Sequence, residues 1–443
     1  MFSRLSPFSI FFYLFLTSLA LSNNLIELLV SWVGLNISLY AIFMRNGLHL
    51  NIVETGLKYF IVGLLVTCLL FFSSIIYSII YSSFSLLGFN YLISLNEVSH
   101  NGLLVHSINI TQKFITILIV FSFLFKLGAY PFSFYVADVY ENSTWKMLFM
   151  YTTPLKVVIF GTMLKLLVTF GTLGDVLLPV ITWSALGSML IGSFSAISET
   201  KLKRFWAYSY ISSVGLILLG INYYNQGMGV CTYTAKVYFI VYLLTWQMVF
   251  GVLLNTKIWS TSIDRNLSMV YINDLRFLQY VSRSDYLGII FAILSLMGLP
   301  PALGFFSKLI VYLNIFENQH VLFFILIILM SPISGYGYLR LLLPILSENK
   351  NLNVSIVKKN IQTSCGFFSS FGISCIILYI PFVFVVSPIV ITWLKSVTLQ
   401  SYGPYCTLNQ HGLDLVIYEI LTFLIEFYLR SATIAVSALN WIM

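Results

Sequence analysis

The chain has 443 residues, of which 59% are hydrophobic and only 9% are charged, and its mean hydropathy is +0.93. This composition excludes a soluble globular domain and predicts an all-α polytopic membrane protein. At about 20 residues per span, the length accommodates about 10 to 13 transmembrane helices. The net charge of +8 is spread over the loops. It favours contact with anionic lipids such as cardiolipin, and it does not indicate a nucleic-acid partner.

Most familiar catalytic and cofactor motifs are missing from the sequence. The five cysteines form no CxxC pair, so we expect no iron–sulfur cluster, zinc site or haem attachment in this chain. There is no P-loop, no HExxH and no nucleophile elbow. The five histidines fall in predicted loops or at span ends, so no imidazole is expected within the membrane. The first apolar run lacks a small-residue cleavage site, and no cleavable signal is expected.

Apolar runs in the sequence predict eleven membrane spans. Their approximate limits are residues 5–22, 25–44, 57–82, 112–135, 146–170, 177–197, 207–224, 233–255, 286–314, 320–346 and 371–395. The polar connections 83–111 and 256–285 are expected to be loops, and segment 347–370 is expected outside the bilayer. The tail 413–440 alternates apolar and charged residues, which predicts an interfacial or partner-covering helix and not a twelfth span.

Two of these spans are interrupted at corresponding places along the chain. Pro131 interrupts the fourth span, and Gly298-Leu299-Pro300-Pro301 interrupts the ninth. Proline frees a carbonyl one turn earlier, and paired interrupted helices are typical of inverted-repeat transporters. We therefore predict an inverted repeat of five-helix units with two broken helices. The predicted divisions are an N-terminal helix (1–22), a first half (23–170), a second half (171–346), and a connecting segment, last span and tail (347–443).

Three lysines are predicted at mid-depth in the bilayer, namely Lys126, Lys156 and Lys308, and each lies near a proline. A charged side chain there costs a few kcal/mol or more, so it is kept out unless it has a partner or a function. Burial disfavours the charged amine, and a nearby carboxylate favours it. An amine balanced between these effects can bind and release a proton. The pattern therefore predicts a proton relay.

The alternative for any such lysine is a side chain that reaches the headgroups and has only a packing role. This alternative is preferred for Lys58, Lys165 and Lys236, which lie nearer the ends of their spans. Lys58 and Lys236 are therefore assigned at most a supporting role.

Four stretches of the sequence, in this order, follow the pattern of one membrane-protein family. They are ETGLKYFIVG (54–63), FKLGAYPFSFYVADVYE (125–141), TKLKRFWAYSYISSVG (200–215) and LMGLPPALGFFSKLIVY (296–312). On these motifs, over about residues 20 to 345, the chain resembles the antiporter-like membrane subunits of respiratory complex I, of the NADH dehydrogenase subunit 2 type. Compared with bacterial members it begins about three helices late, as in many animal mitochondria, so the mitochondrial inner membrane is expected.

The resemblance implies a proton-translocating subunit whose polar axis runs along the membrane midplane. Lys126, Lys156 and Lys308 match the family's axis lysines, with Glu54, Lys58, Asn36, Lys203 and Lys236 as supporting residues. It also implies that NADH, FMN, iron–sulfur clusters and ubiquinone are bound by other subunits. The implied partners are other membrane-arm subunits, including neighbouring antiporter-like ones, and lipids.

Three positions depart from the family pattern. Asn36 stands where the family has a glutamate, and Ser133 and Ser213 stand where it has histidines. Asparagine and serine can hold water but do not titrate. We therefore weigh proton pumping against a scaffold whose proton path is lost, and, third, a stand-alone cation/proton antiporter. A continuous line of water past the three lysines would favour transport.

Overall fold

A computed structural model describes residues 7–45, 50–81, 102–169, 174–223, 230–231, 233–259, 266–267, 270–280, 283–299, 302–317, 321–347 and 361–363. The predicted span 371–395, the predicted tail helix 413–440, and Pro300 and Pro301 lie outside the described residues.

The described part of the chain is a bundle of helices. They are α1 (Pro7–Leu21), α2 (Leu25–Arg45), α3 (Leu50–Tyr81), α4 (Gly102–Leu127), α5 (Phe134–Asn142), α6 (Trp145–Thr152), α7 (Pro154–Thr169), α8 (Gly174–Ser198), α9 (Leu202–Leu219), α10 (Tyr233–Asn255), a 3₁₀ helix (Ile272–Tyr280), α11 (Arg283–Met297), α12 (Leu303–Glu317) and α13 (Val321–Leu346). Within these residues, six stretches are long and apolar enough to cross a membrane. The prediction of an all-α polytopic membrane protein is confirmed, and the total of eleven spans stays a prediction.

The strands in the described residues are two to four residues long and lie outside the helices. β1 (Asn222–Tyr223) pairs antiparallel with β2 (Val230–Cys231). β3 (Thr256–Trp259) lies between β4 (Asn266–Leu267) and β5 (Ile361–Thr363), antiparallel to both. The predicted loop 256–285 was therefore wrong in part, since it contains strands and the 3₁₀ helix. The predicted loop 83–111 was also wrong at its end, because α4 begins at Gly102.

Neighbouring helices in the chain pack side by side in the first part of the bundle, α1 against α2, α2 against α3 and α3 against α4. In the second part, α8 and α9 pack extensively, and α13 packs against α8. Large aromatic side chains fill the interior. Trp32 meets Phe123 edge-on with ring centroids 4.9 Å apart, and Trp206 meets Trp246 at 5.3 Å. This packing encloses the three candidate lysines.

The two predicted helix interruptions are confirmed, and each follows a glycine in a left-handed conformation. Gly128 (φ 77°) comes directly after α4, and Gly298 (φ 80°) comes directly after α11. A glycine adopts this conformation without the steric penalty of a side chain, so it ends a helix cleanly. Pro131 lies in the linker before α5. Each interruption leaves the last carbonyls of its helix without helical partners.

Gly304 allows α12 to return tightly against α11 after the second interruption. Its amide donates to Ser295 Oγ at 3.2 Å. A Cβ atom at this position would overlap the Ser295 backbone carbonyl. Because the neighbouring atom is backbone, it cannot turn aside as a flexible side chain would. The close approach of the two helices therefore depends on glycine here.

We expect Gly304→Ala to destabilise the protein by about 1–3 kcal/mol or more, as overpacking does in other tightly packed interiors. Thermal unfolding of the purified full-length protein in detergent measures the effect. Gly335→Ala is the matched control, because a Cβ at Gly335 meets no atom within 4 Å. Equal melting temperatures for the two variants would contradict the packing argument.

Candidate functional site: a row of buried lysines at two helix breaks

At each interruption a lysine amine binds the two carbonyls that precede the glycine. Lys156 Nζ donates to the Lys126 and Leu127 carbonyls at 2.7 and 3.2 Å. Lys308 Nζ donates to the Leu296 and Met297 carbonyls at 2.6 and 2.9 Å. A charged donor makes these hydrogen bonds stronger than a neutral one would. The two lysines thus compensate for the hydrogen bonds that each helix loses at its end.

Tyrosine hydroxyls complete the first interruption. Tyr210 Oη donates to the Leu127 carbonyl at 2.6 Å, and Tyr135 Oη donates to the Phe125 carbonyl at 2.7 Å. Lys156 Nζ also lies 4.7 Å from the ring centre of Tyr151 and 5.0 Å from that of Tyr210, within the range of cation–π attraction. The sequence by itself did not identify these tyrosine contacts. Tyr135 lies four residues after Pro131 in the first broken-helix motif, and this position was the sequence signal that could have identified it.

Lys126 is held from α2 and α3. Its amine donates to Asn36 Oδ1, and the Asn36 amide donates in turn to the Gly63 carbonyl at 3.3 Å. The amine also lies 4.8 Å from the ring centre of Tyr59 and 5.9 Å from that of Trp32. Asparagine can accept from an amine and donate to a carbonyl at once, whereas an ionised glutamate only accepts. Asn36 therefore fits this position as a neutral bridge.

All three amines are enclosed in the bundle. The exposed fractions of Lys126, Lys156 and Lys308 are 3%, 1% and 8%. Headgroup-seeking side chains would not be buried in this way, so that alternative does not fit these residues. In the part of the chain that the structure describes, no carboxylate forms an ion pair with any of them. Their part in proton transfer stays a prediction.

Ser133 and Ser213 are also buried. Ser213 Oγ donates to the Tyr210 carbonyl at 2.7 Å within α9. Ser133 occupies the position before α5 and makes no capping hydrogen bond with its side chain. Neither serine bonds to a lysine in the described residues. They preserve polarity at these positions without supplying a group that titrates.

Glu54, Lys58 and Lys203, three further predicted supporting residues, bind groups other than the three buried amines. Lys58 pairs with Glu54 at 3.0 Å and with Asp138 at 3.1 Å, and all three side chains are substantially exposed. Lys203 donates to the Ser143 carbonyl at 2.6 Å. Lys236 is partly buried in the first turn of α10. Lys58 thus connects α3 to α5, and Lys203 connects α9 to the residue that follows α5.

Glu141 is the centre of a charged cluster at the helix ends. It accepts from Lys201 and from Arg204, and Arg204 also approaches Asp138 at 3.9 Å. Partial burial raises the pKa of the Glu141 carboxyl, but the hydrogen bonds from Lys201 and Arg204 outweigh burial and lower it. The cluster joins α5 to the start of α9. No set of three or more metal-ligating side chains was found in the residues described.

A family model described as NADH:quinone oxidoreductase/Mrp antiporter, TM, matches residues 22–334, which is more than half of the chain. The chain belongs to this family. Relatives in it include NADH-quinone oxidoreductase subunit N of Nitrosomonas europaea, 30% identical over 332 residues, and that of Francisella tularensis, 28% identical over 335 residues. These matches cover 72% and 73% of this chain, and only 63% and 64% of the two relatives. The chain therefore spans less than two thirds of their length.

Members of solved complexes share the fold. A chain of respiratory complex I from Thermus thermophilus aligns with a TM-score of 0.64 and 21% identity, over 86% of this chain and 78% of that one. A chain of an archaeal membrane-bound sulfane sulfur reductase aligns with a TM-score of 0.71 and 16% identity, over 89% of this chain and 76% of that one. A chain of the Mrp complex from Dietzia aligns with a TM-score of 0.61 and 16% identity, over 77% of this chain and 60% of that one. At these identities the likeness establishes the membrane antiporter-like fold alone.

We expect Glu141→Gln to lower the melting temperature at pH 7 and to have little effect in acid. A carboxyl whose pKa is lowered by folding stabilises the protein above its unfolded pKa, near 4.5, and this stability is lost as the pH falls through the folded value. Thermal unfolding between pH 7 and pH 3 measures the difference between wild type and variant. Glu54→Gln is the control, since its exposed ion pair contributes little. A difference that persists unchanged at pH 3 would rule out the linkage.

Proposed function

We propose that this chain is an antiporter-like membrane subunit of a proton-pumping NADH:quinone oxidoreductase. It would carry protons through Lys126, Lys156 and Lys308 while electron transfer occurs in other subunits. The observation that supports this most is the burial of three amines at two helix breaks in a chain of this family. The named bacterial relatives are subunits of the same enzyme.

Lys126 and Lys156 are neighbours in the bundle. The amine of Lys156 bonds to the backbone carbonyl of Lys126 at 2.7 Å. Two ammonium groups near each other in a medium of low dielectric constant repel, so protonation of one disfavours protonation of the other. In this proposal a proton arriving at Lys126 displaces the charge on Lys156 towards the second half of the bundle. Conformational or electrostatic change in neighbouring subunits would time these transfers.

A scaffold without proton transfer is less well supported. Carbonyls at a helix end need only a neutral donor, and Tyr210 already provides one to Leu127. Lysine places a charge in the bundle that such a cap does not require. The stand-alone antiporter alternative has support from the family description, which also names Mrp antiporters, and from the fold likeness to the Mrp complex at 16% identity. The named relatives favour the oxidoreductase subunit instead.

The proposal includes the partners, cofactors and membrane of the assembly. Other membrane-arm subunits, including antiporter-like ones, and lipids would surround this chain. NADH, FMN, iron–sulfur clusters and ubiquinone would be bound by other subunits. The named relatives are bacterial, which supports a bacterial plasma membrane. The mitochondrial inner membrane, which the sequence analysis expected, has no support from them.

We expect Lys126→Met and Lys308→Met to lower the number of protons pumped per NADH oxidised, because a side chain that does not titrate cannot relay a proton. Proton uptake in vesicles that contain the purified complex measures the ratio. Native gels report whether each variant complex is fully assembled.

Lys165→Met is the matched control for this experiment. Lys165 also lies in a predicted span, but it donates to Ser22 and Asn23 at the turn between α1 and α2, away from the row. An unchanged pumping ratio in assembled Lys126→Met and Lys308→Met complexes would refute the proposed function.

A further inference from the structure

The carbonyls at the first helix break bind neutral hydroxyls as well as the Lys156 amine. The Leu127 carbonyl accepts from Lys156 Nζ at 3.2 Å and from Tyr210 Oη at 2.6 Å. The Lys126 carbonyl accepts from the same amine at 2.7 Å, and Tyr135 Oη lies 3.4 Å from it. A carbonyl oxygen has two lone pairs, so it can accept from an amine and a hydroxyl together. The first break is therefore bound both by an amine and by neutral groups.

The Tyr135 hydroxyl has partners of its own that fix its orientation. It donates to the Phe125 carbonyl at 2.7 Å, and it also forms a hydrogen bond with the Tyr151 hydroxyl. A hydroxyl has one hydrogen, and Tyr135 gives its hydrogen to a carbonyl, so Tyr151 is the donor in the bond between the two tyrosines. None of these bonds requires a charged amine.

The second break differs from the first in its donors. Lys308 Nζ binds the Leu296 and Met297 carbonyls at 2.6 and 2.9 Å. In the part of the chain that the structure describes, no side-chain hydroxyl donates to either carbonyl. Tyr312 lies one turn after Lys308 on α12, but its hydroxyl forms a hydrogen bond with Ser331. The two breaks therefore differ in the donors that remain when the amine no longer binds.

Loss of a proton changes how Lys156 can bind the first break. An ammonium has three hydrogens and no lone pair, whereas a neutral amine has two hydrogens and one lone pair. Hydrogen bonds from a charged donor are also stronger than those from a neutral one. A carbonyl that loses such a bond inside a membrane bundle is unsatisfied unless another donor is present. Tyr135 and Tyr210 are the donors present at the first break.

We infer that Tyr135 and Tyr210 are positioning residues that hold the end of α4 in place while the Lys156 amine gives up its proton. They act through the backbone carbonyls and do not carry the proton. The proton passes along the row, as in the proposed function, and the electron pair of the broken N–H bond stays on the amine nitrogen. The inference rests on the proposed function, because it assigns how the first break keeps its geometry between two transfers.

Backbone amides at the two breaks report whether each break stays closed. The Gly128 and Ala129 amides donate to the Phe125 and Leu124 carbonyls, both at 3.0 Å. At the second break, the Gly298 amide donates to the Leu294 and Ser295 carbonyls at 3.1 and 3.0 Å. Local opening of a break exposes these amides to hydrogen exchange. Mass spectrometry of peptides from the assembled complex measures this exchange.

We expect Lys156→Met to leave exchange at the first break within about twofold of wild type, because the tyrosines still bind the carbonyls. Lys308→Met should raise exchange at the second break about tenfold or more, as expected for the loss of a hydrogen bond from a charged group. Lys156→Met should have a similarly large effect at the first break when it is combined with Tyr135→Phe and Tyr210→Phe.

Two exchange results would overturn the inference. One is an effect of Lys156→Met at the first break that is the same with and without the two tyrosine hydroxyls. The other is unchanged exchange at the second break in Lys308→Met, because amine bonds would then not hold a break closed. A purely structural role of the tyrosines would not make the effect of Lys156→Met depend on them.

Proton pumping separates this inference from the proposed function. We expect the Tyr135→Phe/Tyr210→Phe double variant to pump about tenfold more slowly or worse, in line with the cost of misplaced reacting groups. If Lys308→Met loses pumping while the double variant pumps normally, the inference is refuted and the proposed function stands. If both variants pump normally, the proposed function fails as well.

Tyr140→Phe is the matched control for pumping. The Tyr140 ring stacks on that of Tyr210 with centroids 6.0 Å apart, and its buried hydroxyl has no hydrogen-bond partner among the described residues. This variant should pump as wild type, and a defect equal to that of the double variant would reduce the tyrosines to packing and overturn the inference. An experimental map of the wild-type complex needs no variant. Tyr135 and Tyr210 hydroxyls turned away from the Phe125 and Leu127 carbonyls would overturn the inference even if a variant did not assemble.

Discussion

The arrangement of the site depends on one interaction, the hydrogen bonds from a buried ammonium to backbone carbonyls at a broken helix. A helix that ends inside a membrane bundle leaves carbonyls without partners, and in hydrocarbon each would cost several kcal/mol. Lys156 and Lys308 satisfy these carbonyls. The same bonds stabilise the two amines in a place where charge is otherwise disfavoured. Each helix break and the lysine that binds it therefore stabilise each other.

This interaction also changes how the lysines relate to each other. In the sequence, Lys126 and Lys308 lie beside the two breaks. By contact, however, Lys156 is the counterpart of Lys308, since each binds the two carbonyls before a left-handed glycine. Lys126 has a different environment, made of the Asn36 amide and two aromatic rings. The row thus contains two amines bound to backbone and one bound to a side chain.

In the described residues, the side chains that surround the three amines are neutral. Asn36 bridges Lys126 to Gly63, tyrosines support the first break, and serines line a cavity beside Lys308. Neutral dipoles can solvate both the charged and the neutral form of an amine. A fixed carboxylate would strongly favour the charged form. Such surroundings suit an amine that must release its proton as readily as it binds one.

The sequence by itself determined the membrane class, the two interruptions and the three buried lysines, because hydropathy, glycine, proline and charge act locally along the chain. It did not show that Lys156 binds the carbonyl of Lys126, thirty residues away, or that Tyr210 reaches Leu127 across the bundle. It also did not show that Lys58 pairs with Asp138 of α5, or that Lys203 donates to the Ser143 carbonyl. Only the tertiary structure decided these contacts. They depend on which helix faces meet, and the apolar surface that drives helices into a bundle is nearly uniform around each helix in lipid, so it does not specify the pairing.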